Sequence, residues 1–198
     1  MTTQGALGQG LLDDRRYNMT AVSLHWLIAV LIVIQLCLGW YMNEILPDHS
    51  PAQAQVETVH ISLGITILLL VLARIGVRLA WRPPPLPADL PAFDAGLAKF
   101  THLMFYLLML ILPLSGWALV SAGNHPLHWW GIDWPKLPVA SVFGGPEHKA
   151  ARHTLMQAHT NWLIWIVLAN LALHVAGAFK DQITGHPVFW RMIPGLKR

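Results

Sequence analysis

Four long apolar segments divide the chain, and each is long enough to cross a membrane as a helix. They cover residues 21–41, 58–81, 96–121 and 154–179, and polar or proline-rich segments separate them. A helix rises about 1.5 Å per residue, so about 20 apolar residues span a hydrocarbon core of about 30 Å. The pattern predicts an all-α membrane protein, an antiparallel bundle of four transmembrane helices.

The polar segments are predicted to be tails and connectors. Residues 1–18 and 181–198 read as tails around a transmembrane domain at 19–180. The segment at 82–91 is too rich in proline to continue a helix and predicts a short, stiff linker. The connector at 123–153 carries several tryptophans, so we expect it to pack on the membrane surface.

Basic residues are distributed unequally between the two ends of this bundle. Ten lysines and arginines fall in the two tails, the exit of the second helix with its linker, and the start of the third helix. Three fall in the connectors at 43–57 and 123–153, all of them in the second. An excess of basic residues marks the cytoplasmic side, so both termini are predicted to be cytoplasmic.

Composition supports a membrane location and removes several chemistries. The 198 residues are 55% hydrophobic and 12% charged, which is too apolar for a soluble domain of this size. The formal net charge of +3 is explained by the sorting of basic residues to one membrane side, so no nucleic-acid partner is expected. Cys37 is the single cysteine, which excludes intramolecular disulfides, cysteine-ligated iron–sulfur clusters and covalent haem attachment. We expect Cys37 to be a small buried hydrophobe.

Two histidines in the fourth apolar segment carry the main chemical signal. The step from His159 to His174 rotates a regular helix by about four turns plus 60° and advances about 22 Å. Both rings therefore lean towards one side, near opposite membrane faces. Intramembrane imidazoles are costly, so they meet a partner, and haem iron is a common one. Hydrogen bonding to neighbouring helices is the alternative.

Histidines in other segments complete two predicted pairs. His25 lies near the cytoplasmic end of the first helix, at the depth of His174, and His60 lies near the outer end of the second, at the depth of His159. Each pair supplies the two axial imidazoles of a six-coordinate haem. The pattern predicts two non-covalent b-type haems stacked across the membrane, with irons about 22 Å apart.

Fourteen residues after a histidine, a helix returns to within about 40° of the same face. This step leads from His25 to Gly39 and from His102 to Gly116, where a small residue would let a haem approach the backbone.

From His60 the same step leads to Arg74, which either pairs with a haem propionate or extends to the cytoplasmic interface. His102 lies at the depth of the cytoplasmic haem. It could bond a propionate, a quinone oxygen or a neighbouring helix, and we place the structural role first. The other histidines are expected to be solvated or to face elsewhere: His49, His125, His128, His148, His153 and His186.

Several short motifs accompany these histidines: Ser23-Leu-His25-Trp-Leu, His60-Ile-Ser-Leu-Gly64 with Arg74, His102 with Tyr106, Pro113 and Gly116, Trp129-Trp-Gly-Ile-Asp-Trp-Pro135, and Arg191-Met-Ile-Pro194. Together they resemble the bacterial cytochrome b561 family of four-helix, di-haem inner-membrane proteins, over residues 17–194. The resemblance implies that His25, His60, His159 and His174 ligate two b-type haems. It also implies ubiquinone as a redox partner, and some members oxidise superoxide while reducing it.

The fourth helix departs from that family. The family has fourteen residues between the two histidines and a glutamate after the first, whereas the step here is fifteen and Thr160 follows His159. We expect a π-bulge to absorb the additional residue. The family's paired histidines after this helix are replaced around Lys180-Asp181-Gln182, which weakens the transfer of a substrate but not of haem ligation.

Three functions are consistent with these features. The first is an electron carrier or small oxidoreductase between two haems and a membrane quinone, with Lys136, Lys149 and Arg152 as a weak attraction for superoxide. The second is a haem-bearing membrane anchor that relays electrons from a partner dehydrogenase or hydrogenase. The third is a transporter that uses intramembrane histidines as proton relays.

Overall fold

Helices account for most of the chain in the computed structural model, which describes residues 17–86, 89–123, 125–139, 146–184 and 189–193. The elements are α1 (Met19–Glu44), α2 (Pro51–Ala80), α3 (Ala92–Ser121), β1 (His128–Trp129), β2 (Ile132–Asp133), α4 (Pro146–Gln157) and α5 (Leu163–Ile183). A π-helical turn, Ala158–Trp162, joins α4 directly to α5, and a short 3₁₀ helix covers Phe189–Met192. α1, α2, α3 and the fourth span, which α4, the π turn and α5 form together, are long and apolar enough to cross a membrane. The predicted four-helix architecture is confirmed.

The second and fourth helices begin earlier than their apolar segments do. α2 begins at Pro51, because Ser50 Oγ accepts a hydrogen bond of 3.1 Å from the Gln53 backbone N–H and proline suits the first turn. The fourth span begins at Pro146. The expectation of plain connectors at 43–57 and 123–153 is therefore wrong in part, since helices extend beyond the apolar segment when their first turns are capped or polar.

Helices that follow each other in the chain pack side by side, α1 on α2, α2 on α3, and α3 on α5. The buried core lies between α1 and α2 and is formed by Ile28, Leu63, Ile67 and Val71. Large apolar side chains elsewhere face outward, as expected for helices that meet lipid rather than water. Cys37 is among the exposed residues, so the prediction that it is buried is wrong: its position on α1 turns it away from the other helices.

A small hairpin covers one end of the bundle. β1 and β2 pair antiparallel through a turn in which Trp130 and Gly131 both have positive φ, 50° and 85°. Trp130 is held in this rare conformation by its backbone N–H, which donates to Ser62 Oγ at 3.1 Å, and by its indole N–H, which donates to Thr66 Oγ1 at 2.9 Å. The tryptophan-rich connector therefore packs on the helices. We call this end the hairpin end and the opposite one the tail end.

Polar contacts join the elements at the tail end. Lys180 on α5 forms a salt bridge with Asp94 on α3. The indole N–H of Trp26 donates to the Met192 carbonyl, which ties the 3₁₀ helix to α1. α5 itself continues to Ile183, beyond the domain boundary expected at residue 180.

Candidate functional site

Two histidine pairs lie between the helices, one towards each end of the bundle. His25 and His174 form the tail-end pair, with ring centroids 6.3 Å apart and ring planes at 70°. His60 and His159 form the hairpin-end pair, with centroids 6.2 Å apart and planes at 87°. Metal–imidazole bonds of about 2 Å put two rings on opposite sides of one metal with centroids roughly 6 Å apart. The predicted partners are thus brought together at the separation that axial ligation requires, while ligation itself stays a prediction.

The π-helical turn determines the direction of His159. The turn Ala158–Trp162 contains this histidine. It lies at the start of the step from His159 to His174, which is fifteen residues here instead of the expected fourteen. A π turn accommodates one additional residue and so removes about 100° of helical rotation. The step from His159 to His174 then has the phase of fourteen residues, within about 40° of one face. The predicted π-bulge is confirmed.

Two glycines bring bare backbone against the hairpin-end pair. A Cβ atom built on Gly39 would lie 3.4 Å from His60 Cε1, and one built on Gly116 would lie 2.9 Å from His159 Cε1. The first distance is an ordinary contact, whereas the second would require the His159 ring to shift. Both glycines therefore lie beside the hairpin-end pair, at the depth that the fourteen-residue spacing predicted.

Two polar side chains at the hairpin end were not predicted from the sequence to belong to the site. Ser115 Oγ lies 2.9 Å from His159 Nδ1 and also donates to the Leu112 carbonyl at 2.7 Å. Gln35 Nε2 donates to the His60 backbone carbonyl at 2.9 Å. His60 Nδ1 is buried and has no hydrogen-bond partner within the described residues. The available signal was a polar residue in the middle of an apolar span, as both Ser115 and Gln35 are.

Arg74 faces the tail-end pair. Its Nη1 donates to the Ala21 carbonyl at 2.9 Å, and its Nη2 lies 3.4 Å from His25 Nδ1. Arg74 therefore contacts a tail-end histidine and also lines the cleft described below, and its pairing with a haem propionate stays a prediction. His102 lies beside the same pair, with its ring centroid 5.2 Å from that of His174, although the residue is exposed.

A cationic cleft opens at the tail end next to this pair. Arg74, Arg78 and Arg82 line it together with Tyr17 and Tyr106. The guanidinium of Arg78 lies over the Tyr106 ring, 5.6 Å from its centroid. The cleft therefore offers guanidinium and phenol donors beside the tail-end histidines.

The other described histidines lie away from both pairs. His49, His125 and His153 are exposed, and His128 is exposed beside Asp133, with 2.9 Å between Nδ1 and Oδ1. These positions agree with the expectation of solvated side chains. Two more of the predicted solvated histidines lie outside the described side chains: His148 and His186.

The residues at both pairs fit a haem. Each pair offers two imidazoles, and no group of three or more His, Cys, Asp or Glu side chains in the described ranges could hold a metal ion. A haem would need only two imidazoles from the protein, because its porphyrin brings the other ligands of the iron. Gly39 and Gly116 are a further feature of the fit, because they place backbone rather than a side chain against the two hairpin-end rings.

Comparison with known proteins shows the family of the chain. A family model of prokaryotic cytochrome b561 matches residues 16–195. The chain is 27% identical over 162 residues to the probable superoxide oxidase CybB of Yersinia pestis, covering 81% of this chain and 89% of that protein. It is 27% identical over 168 residues to cytochrome b561 homolog 2 of Escherichia coli (strain K12), covering 84% and 85%. It is 26% identical over 188 residues to cytochrome b561 homolog 1 of the same organism, covering 92% and 99%.

Proposed function

Because the chain belongs to the prokaryotic cytochrome b561 family and is a b-type cytochrome of the bacterial inner membrane, we propose that it passes single electrons through two haems to or from a membrane quinone. The observation that carries the proposal is the pair of facing imidazoles at each end of one bundle, with the fourth span contributing to both. One pair alone would hold a haem without a path across the membrane.

The side chains have separate roles in this proposal. His25 with His174, and His60 with His159, would ligate one b-type haem each. The bound haem supplies reversible one-electron chemistry at iron. Arg74 would pair with a haem propionate. Its guanidinium lies near His25 Nδ1 in the structure, and the propionate would replace that contact.

The cleft at the tail end supports a quinone as the redox partner. Quinone oxygens accept hydrogen bonds, and Tyr17, Tyr106 and Arg74 line the cleft as donors, with Arg74 Nη2 3.4 Å from His25 Nδ1. His102 lies at the edge of the same pair and is exposed enough to contact a bound molecule. We place ubiquinone here, within reach of the tail-end haem.

Superoxide is the electron donor that we propose for the hairpin end. A relative of similar length is named a probable superoxide oxidase. Two superoxide ions that become dioxygen release the two electrons that reduce one quinone to quinol, which also takes up two protons. Lys136, Lys149 and Arg152 lie at the hairpin end and would attract the anion. With both termini in the cytoplasm, as the basic residues predict, this end faces the periplasm.

The ligand assignment is tested by removing one histidine at a time. We expect His60→Ala and His159→Ala to remove one haem, and His25→Ala and His174→Ala to remove the other. Haem content and reduced-minus-oxidised spectra of the purified variants measure this. Loss in crossed pairs, or no b-type spectrum after haem-replete expression, would contradict the proposal.

The activity is tested with the purified chain alone. We expect quinone reduction that depends on a superoxide source and stops when superoxide dismutase removes it. Quinone reduction that appears only after a dehydrogenase or hydrogenase subunit is added would instead identify a membrane anchor.

A further inference from the structure

We propose that Ser115 is a positioning residue that holds His159 in the Nδ1–H tautomer and thereby lowers the midpoint potential of the haem at the hairpin-end pair. The inference rests on the proposed ligation of that haem by His60 and His159. Ser115 does not contact the iron and acts through His159.

The tautomer follows from counting protons at Ser115. A serine hydroxyl carries one proton, and here it is donated to the Leu112 carbonyl at 2.7 Å. The same oxygen lies 2.9 Å from His159 Nδ1, so it can only accept a hydrogen bond there. His159 Nδ1 therefore carries the proton, and Nε2 keeps the lone pair that a metal needs.

The neighbouring residue holds the ring in place. Gly116 follows Ser115 on α3, and a Cβ atom built there would lie 2.9 Å from His159 Cε1. The Cε1 corner of the ring thus points at Gly116, with Nδ1 and Nε2 each 3.5 Å from that Cβ position, while Nδ1 also lies against the Ser115 hydroxyl. One residue supplies the hydrogen-bond acceptor and the next leaves room for the ring.

Two of the other proposed ligands have different surroundings at Nδ1. His60 Nδ1 is buried and has no hydrogen-bond partner within the described part of the chain. His25 Nδ1 lies 3.4 Å from Arg74 Nη2, and a guanidinium can donate but not accept. A serine hydroxyl at Nδ1 therefore distinguishes His159 from His60 and His25.

The direction of the effect follows from ligand basicity. A hydrogen bond donated by Nδ1–H increases the electron density at Nε2 and makes the imidazole a stronger ligand. A stronger donor stabilises ferric iron more than ferrous iron, which lowers the midpoint potential. Removing the acceptor should raise it.

Redox titration of single-haem proteins tests the inference. In a His25→Ala background, which is expected to keep the hairpin-end haem, the midpoint potential should rise in Ser115→Ala and return in Ser115→Thr. Cysteine is a weaker acceptor, so Ser115→Cys should raise the midpoint potential by an intermediate amount. If Ser115→Ala loses haem, the Ser115→Cys protein tests the role of Ser115. The ferric low-spin electron paramagnetic resonance spectrum should change in the same order.

The matched control uses the same substitutions at the other haem. In a His60→Ala background, which is expected to keep the tail-end haem, Ser115→Ala should leave the potential unchanged. An unchanged or lowered potential in the His25→Ala series, or equal shifts in both backgrounds, would overturn the role of Ser115. A His25→Ala protein that holds no haem would contradict the ligand assignment instead. The Ser115 variants are then titrated in the protein that keeps all four histidines, where the midpoint potential of one haem alone should rise.

Discussion

At the residue scale, the hairpin-end site depends on Gly116, which has no side chain. Gly116 lies on α3 where any Cβ atom would meet the ring of His159. A glycine inside a helix costs about 1 kcal/mol relative to alanine, so its presence in the middle of a membrane span needs a reason. The close approach of the histidine ring supplies that reason.

We predict that Gly116→Ala loses the hairpin-end haem and keeps the tail-end haem. The added Cβ would lie 2.9 Å from His159 Cε1 and would displace the ring from its partner. Haem per purified chain, measured as the pyridine haemochrome, should fall by about half, because one of two proposed sites is lost.

The matched control for this variant is Gly96→Ala on the same helix, where a Cβ would meet nothing within 4 Å. It should keep both haems. Full haem content in Gly116→Ala would contradict the prediction, because the His159 ring would then tolerate the added Cβ atom.

Arg74 offers a second prediction at this scale. Its guanidinium lies beside the tail-end pair, and a positive charge there favours ferrous over ferric iron. We expect Arg74→Gln to lower the potential of the tail-end haem by about 60 mV, which is a tenfold change for a one-electron couple. Arg74→Lys keeps the charge and should shift it less. A redox titration measures both, and a higher potential in Arg74→Gln would contradict the electrostatic role.

At the element scale, the fourth span sets both sites through one irregular turn. It contributes His159 from the π turn and His174 from α5, so its local winding controls their relative direction. A regular helix would separate the two rings by about 60° around the axis. The π turn replaces that divergence with one of about 40° in the opposite sense, which is the phase of a fourteen-residue step.

Changing the length of the π turn tests this account. We predict that deleting Thr160 is tolerated, because the turn can become regular helix while His159 and His174 keep their phase. Inserting an alanine after Thr160 demands a second wide turn and should lose at least one haem. Haem content and spectra distinguish the outcomes, and loss after the deletion with retention after the insertion would contradict the role of the turn.

At the scale of the whole molecule, the asymmetry of basic residues predicts the orientation. The tail end carries the arginine cleft, and the hairpin end carries the tryptophan-rich loop. Basic residues near span ends are retained in the cytoplasm. We therefore expect the tail end to be cytoplasmic.

Reporter fusions measure this orientation directly. A fluorescent protein fused after Arg198 should fluoresce, and alkaline phosphatase at the same place should be inactive. A fusion that ends in the loop after Trp134 should give the reverse result. An active phosphatase at the C-terminus would show that the bundle has the opposite orientation. The proposed quinone side would then be periplasmic and the proposed superoxide side cytoplasmic.

Local physics made most of this architecture predictable from the sequence. Apolar segments of membrane-spanning length predict four helices because an unpaired backbone is too costly in lipid. Helical periodicity was enough to pair His25 with His174 and His60 with His159, since depth and face both follow from residue spacing. Helix starts were predicted less well, because Ser50 caps a polar turn that hydropathy does not register.

The sequence by itself determined which residues could form sites: four intramembrane histidines, two glycines in phase with them, and an arginine on the same side. Only the tertiary structure decided which contacts those residues make. Ser115 reaches His159 across 44 positions of sequence, and Gln35 reaches the His60 carbonyl across 25. Such contacts depend on how two helices face each other, and spacing within one helix does not define that rotation. The sequence therefore predicted the histidine pairs, while packing determined which polar groups their rings meet.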